Sequence, residues 1–133
     1  MGERKRARIL VVDDEPEIVK AIRTNLEMEG YEVLEAYNGP DALRIAREER
    51  PDLMVLDVLM PEMDGWEVLE KMRADPEFRD TPVIMLTALA QAHDIARSWE
   101  VGADSHLVKP FDPLELITLV KRLLRSKQGE GGE

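Results

Sequence analysis

Five short apolar runs, separated by helix-like stretches, set the strongest constraint on this chain: residues 9–12, 31–36, 53–56, 83–86 and 106–108. All but the second are nearly continuous. Runs without apolar–polar alternation suit strands covered on both faces, as in parallel sheets. The intervening punctuation is helical. Pro16 opens a segment with Ile18, Val19, Ile22 and Leu26 at helical spacing, and Gly30 stops it. Pro40 opens residues 41–50, with Leu43 and Ile45 facing inward, and Pro51 closes it. Asp64 and Gly65 precede residues 66–73, where Val68, Leu69 and Met72 form the stripe. Residues 91–101 are closed by Gly102, and Asp112 is a fitting N-cap before Pro113 and residues 114–125. Strand and helix thus alternate five times. That pattern predicts an α/β doubly wound fold with a five-stranded parallel sheet.

A chain of 133 residues has room for one domain. We assign it to residues 1–126 and assign residues 127–133 to a flexible polar tail. Cysteine is absent, which excludes disulfides, zinc–thiolate sites and thiol nucleophiles. Only two histidines occur, His93 and His106, too few for most His-rich metal sites. The net charge of −10 repels nucleic acid. Arg4, Lys5, Arg6 and Arg8 crowd one end and Lys121, Arg122, Arg125 and Lys127 the other, as solvated surface. No apolar run approaches the roughly 20 residues that span a bilayer, and the first residues lack a signal-peptide core. The cytoplasm is the expected compartment, with no membrane partner.

Ligands of open parallel sheets bind beyond the carboxyl ends of the strands. Here four of the five apolar runs end there in polar groups: Asp13 and Asp14, Asp57, Thr87, and Lys109. Three carboxylates, a hydroxyl and an ammonium would therefore share one rim. Crowded carboxylates hold protons unless a cation sits among them. An all-oxygen donor set suits a hard divalent ion, Mg2+ or Mn2+. A carboxylate can attack phosphorus to give an aspartyl phosphate, while lysine and hydroxyl bind phosphoryl oxygens.

Val11-Val12-Asp13-Asp14-Glu15, the stretch from Asp57 to Gly65 (which includes Met60-Pro61 and Met63-Asp64), Thr87-Ala88 and Lys109-Pro110-Phe111 resemble the receiver domain of two-component response regulators. The likeness spans about residues 6–126. It implies a flavodoxin-like fold with strand order 2-1-3-4-5. It also implies that Asp57 is the phosphoacceptor, served by a sensor histidine kinase or phosphotransfer protein. Asp14 would ligate Mg2+ with Asp57, Asp13 would assist, and the backbone carbonyl of Leu59 would complete the protein ligands. Thr87 would bond the arriving phosphoryl group, Ala88 would leave it space and Lys109 would pair with it. The Lys109–Pro110 peptide would be cis. Kinase choice would fall to Ile18, Ala21, Ile22 and Asn25. Output would pass to a downstream protein through the fourth helix, the fifth strand and the fifth helix.

Several positions depart from the family pattern. His106 stands where an aromatic switch residue is usual, which suggests a smaller and pH-sensitive switch. Leu59 and Leu89 occupy positions that handle the water attacking the phosphate, so self-dephosphorylation should be slow. Ile95, Trp99 and His106 could form a docking patch. Leu119 stands where DNA-binding relatives carry arginine, which counts against a transcription factor and against direct nucleic-acid contact.

Other functions were weighed. A Mg2+-dependent phosphohydrolase would want a second aspartate where Leu59 sits, so the chain is expected to catalyse only its own phosphorylation and dephosphorylation. Neither nucleotide-loop motif, GxxxxGK[ST] nor GxGxxG, is present, and residues 13–17 are acidic where a phosphate loop should not be. A receiver fragment of a longer DNA-binding regulator or hybrid kinase stays open as the alternative.

Overall fold

A computed structural model describes residues 6–88 and 100–132, with side chains described as far as residue 126. The elements run β1 (Arg8–Val12), α1 (Pro16–Met28), β2 (Glu32–Ala36), α2 (Gly39–Glu49), β3 (Leu53–Asp57), α3 (Gly65–Ala74), β4 (Val83–Ala88), β5 (Ser105–Lys109) and a C-terminal helix (Pro113–Gly132). The five strands form one sheet in the order β2-β1-β3-β4-β5, and every pairing is parallel. The described residues hold four helices. Of the expected helix 91–101, only its last two residues fall within them, and both are helical.

The absence of alternation in the apolar runs has the expected origin, because both faces of the sheet are covered. Leu10 and Val12 of β1 face α2 and α3, in a core shared with Met54, Leu56, Trp66, Val68, Leu69 and Met72. Ile9 and Val11 face the other way, onto α1 and the C-terminal helix, with Val19, Ile22, Leu26, Leu116 and Val120. Each fully buried side chain of this size contributes about 1.5–3 kcal/mol relative to exposure. In α2 the buried positions are Gly39, Ala42 and Ala46, whereas Leu43 and Ile45 lie half-buried beside them. Small side chains at the inward positions let this helix sit close to the sheet.

The caps explain the helix starts. Asn38 accepts the amide of Asp41 at 2.8 Å, so α2 begins at Gly39, ahead of the expected start. Asp64 caps α3 through the amide of Glu67. Asp112 accepts from the amide of Leu114 at 2.9 Å, while Glu115 accepts from the amide of Asp112 at 3.1 Å, a reciprocal box. The C-terminal helix runs to Gly132, past the expected end at Arg125. Ser126, Lys127 and Gln128 include no proline or glycine that would stop it, and the last turn runs on through Gly129 and Gly131.

Two aspartates hold the amino ends of the strands in register. The amide of Arg8 donates to the Asp52 carboxylate at 2.8 Å, and the Asp52 amide returns a bond to the Arg8 carbonyl at 2.8 Å. Asp104 grips Val83 identically, at 2.8 and 2.9 Å. Each grip satisfies a strand-initial N–H that would otherwise lack a ladder partner. No helix among the described residues is long and apolar enough to cross a membrane.

Candidate functional site

The carboxyl ends of β1, β3, β4 and β5 deliver the site. Asp13 follows β1 directly, and its amide donates to the Ala36 carbonyl at 3.2 Å. Asp57 is the last residue of β3 and lies opposite Leu86. Thr87 and Ala88 end β4, and Lys109 ends β5 opposite Ala88. Because the strands are parallel and in register, four sequence-distant groups reach one rim. Carboxylate oxygens of Asp13, Asp14 and Asp57 all lie within 4.8 Å of one another.

Lys109 is the internal counter-charge. Its Nζ donates to Asp13 Oδ2 at 2.8 Å and lies 3.2 Å from Asp57 Oδ1 and 3.9 Å from Glu15 Oε1. Burial alone would lower its pKa. The hydrogen bond to Asp13 and the charges of Asp57 and Asp13 outweigh that and raise it. Asp57, only 5 % exposed, is pushed up from 3.8 to about 6 by burial first and by the negative charge of Asp13 next, against the pull of Lys109. One ammonium thus fails to neutralise the carboxylates around it. Such an oxygen-only donor set with an under-compensated carboxylate fits a hard divalent cation.

Asp14, Glu15, Asp57, Leu59, Ala88 and Lys109 line a depression of about 300 Å³. Asp13 lies beneath it, fully buried, with its other oxygen accepting the amide of Glu15 at 2.9 Å. Thr87 is buried at the end of β4, and its hydroxyl donates to the Leu107 carbonyl at a long 3.4 Å. Leu59 is 56 % exposed on the rim, an apolar group standing over an acidic hollow. The Lys109–Pro110 peptide is cis. Glu15 had been assigned no role from sequence. Its signal was its place directly after Asp13 and Asp14.

His106 lies apart from this depression. It is half-buried on β5 and lines a separate hollow with Leu114 and Leu119, and burial lowers its pKa. Leu89, His93, Ile95 and Trp99 lie outside the described residues. The four positions expected to choose a kinase, Ile18, Ala21, Ile22 and Asn25, all line a groove of about 420 Å³ between α1 and Pro110, Phe111 and Leu116.

Gly65 fixes how closely α3 approaches the end of β3. Its amide donates to the Val58 carbonyl at 2.8 Å. A Cβ there would collide with the Asp57 carbonyl oxygen and come within 2.9 Å of Val58 Cα.

Comparison with known proteins identifies the family and the fold. The family described as "Response regulator receiver domain" matches residues 9–121. The alkaline phosphatase synthesis transcriptional regulatory protein PhoP of Bacillus subtilis is 44 % identical over 121 residues, covering 91 % of this chain and 50 % of that protein. The chain spans about half the length of the curated relatives it matches. Among solved structures, the signal receiver domain of a signal transduction histidine kinase from Syntrophus aciditrophicus is 41 % identical with TM-score 0.84, covering 90 % of this chain and 91 % of that one. The Vibrio cholerae chemotaxis protein CheY4 is 36 % identical with TM-score 0.83, covering 89 % and 98 %. The chain belongs to the response regulator receiver domain family.

Proposed function

We propose that this receiver domain works as a signalling switch whose phosphoacceptor is Asp57. The observation that carries the proposal is the meeting of Asp57 with two further carboxylates and Lys109 on one open rim. Asp57 lines the hollow, buried and under-neutralised, and its carboxylate would be the nucleophile toward phosphorus. The phosphorus–oxygen bond to Asp57 forms as the bond to the donor breaks, and the donor leaves with that electron pair. Lys109 is already 3.2 Å from the acceptor and would follow the charge onto the phosphoryl oxygens. The long Thr87–Leu107 bond is a weak hold, which leaves the hydroxyl able to turn to a phosphoryl oxygen. Ala88 would leave room for it.

Mg2+ or Mn2+ would be held by Asp13, Asp14, Asp57 and the Leu59 carbonyl, and when bound it would neutralise charge developing on the transferring group. The donor would be a sensor histidine kinase or phosphotransfer protein, and the groove beside α1 supports docking of its apolar surface there. The output would be a downstream protein, with His106 on the responding face and the cytoplasm as the compartment. Catalysis would be limited to the chain's own phosphorylation and dephosphorylation. Residues 1–126 would form the functional unit.

Incubation with acetyl phosphate and Mg2+ tests this. Intact mass should rise by one phosphoryl group, in acid-stable and base-labile form, and Asp57→Asn should abolish the gain. Release of many phosphates per chain would instead support a hydrolase. A second reading, the receiver part of a longer regulator, is favoured by one observation: PhoP, a transcriptional regulatory protein, is twice as long as the matched region. Leu119 weighs against DNA-binding output of the winged-helix type.

A further inference from the structure

Away from the acidic rim, one cation ties three parts of the chain together. Arg73 lies in the last turn of α3 and is 18 % exposed at its side chain. Its Nε donates to the Gly102 carbonyl at 2.9 Å. Nη1 donates to the carbonyls of Phe78 at 3.2 Å and Thr81 at 2.9 Å. Nη2 donates to Asp104 at 2.9 Å. The same Asp104 oxygen accepts the first amide of β4, from Val83, at 2.8 Å. Gly102 has φ of +108°, a conformation that favours glycine, and a Cβ there would come within 3.1 Å of Arg73 Nε and press on the guanidinium. One planar fork therefore holds the α3–β4 connection, the residues entering β5 and, through Asp104, the start of β4. Lysine, a single ammonium, lacks the geometry to serve these acceptors together.

We infer that Arg73 anchors the amino ends of β4 and β5, so that the rearrangement accompanying phosphorylation is confined to their carboxyl ends. This inference rests on the phosphoacceptor reading above. β5 is the edge strand, with β4 as its neighbour in the sheet. Sliding β5 along β4 would break the Asp104–Val83 grip and the Arg73 fork together. Pivoting about that end would break neither. Lys109 lies at the far end of β5, roughly 15 Å away at about 3.3 Å per residue. A shift drawn by phosphate at Thr87 and Lys109 then dies out along the strands. Surfaces near the rim report the phosphoryl group, and a partner bound at the amino ends of β4 and β5 would not sense it.

Amide hydrogen exchange with and without acetyl phosphate and Mg2+ tests the anchor, with intact mass recording phosphorylation in each sample. In the native chain, phosphorylation should alter exchange at Ala88 and Lys109 and leave Val83 and Asp104 within about twofold. In Arg73→Lys, and in Asp104→Asn, which removes the ion pair with little change in size, the phosphorylated chain should show changes of at least about tenfold at Val83 or Asp104. A response at Val83 and Asp104 in the native chain overturns the inference, as does their silence in both phosphorylated variants. Failure of the native chain to gain mass overturns the phosphoacceptor reading instead, and this one with it.

Discussion

Asp57 sits where its ionised form is disfavoured, and replacing it with asparagine should therefore stabilise the metal-free fold above about pH 6. The folded-state pKa lies near 6 and the ordinary value is 3.8. Between these values the folded chain holds a proton that the unfolded chain has released. Stability thus falls as pH rises through this window and reaches its low plateau above about pH 6. A shift of about two units, at about 1.4 kcal/mol each, makes the full penalty about 3 kcal/mol. Lys109 loses one partner in the variant and keeps Asp13, so about 1–3 kcal/mol of net stabilisation is expected. Urea unfolding followed by circular dichroism in a chelating buffer at about pH 8 measures it, and at about pH 4 the two proteins should converge. Saturating Mg2+ should close the gap, because an ion at a hundred times its dissociation constant stabilises the native chain by about 2.7 kcal/mol. A variant no more stable than the native chain in chelator, or a gap unchanged between the two pH values, would refute the electrostatic reasoning.

Other outcomes follow from the same geometry. Lys109→Met leaves the buried Asp13 without its cation; it should destabilise by about 3 kcal/mol in urea and depress labelling by acetyl phosphate. Gly65→Ala forces backbone apart beneath Asp57 and should cost at least about 2 kcal/mol in the same assay. Leu59→Asn puts a water-orienting group on the rim, and the phosphorylated form should decay several-fold faster by intact mass. His106, its pKa lowered by burial, favours the neutral ring in the fold. Its contribution to stability should therefore fall as pH drops through its ordinary value of 6.5. Comparing the pH profiles of the native chain and His106→Phe isolates that contribution from the opposite trend of Asp57.

The rim was legible in the sequence because each of its members interrupts an apolar run, and an interruption at a strand end needs no knowledge of the partner. Parallel pairing then brings the interruptions together. The strand bounds shifted by one residue at the starts of β1, β2 and β5, and by one or two at the carboxyl ends of β3, β4 and β5, where Asp57, Ala88 and Lys109 are the last residues. The inward face of α2 was legible only in part: Leu43 and Ile45 do pack against the core, but the fully buried Ala42 and Ala46 carry no comparable apolar signal. Asn38 was passed over as a cap because Pro40 drew the helix start toward itself. The Arg73 fork was invisible for a different reason. Its acceptors are mostly main-chain carbonyls, and main-chain carbonyls have no residue type to read.

The two aspartate grips also divide the sheet. Asp52 joins β3 to β1, and Asp104 joins β5 to β4. Neither spans β3 and β4, so the β3–β4 join lies between two gripped pairs. The three acids arise on one side of it, and the hydroxyl and the ammonium on the other. Opposite charges therefore face each other across the β3–β4 join of the sheet. A chain with only one pair assembled would carry half of the chemistry and stay mute. The β3–β4 pairing is therefore what completes the acceptor rim.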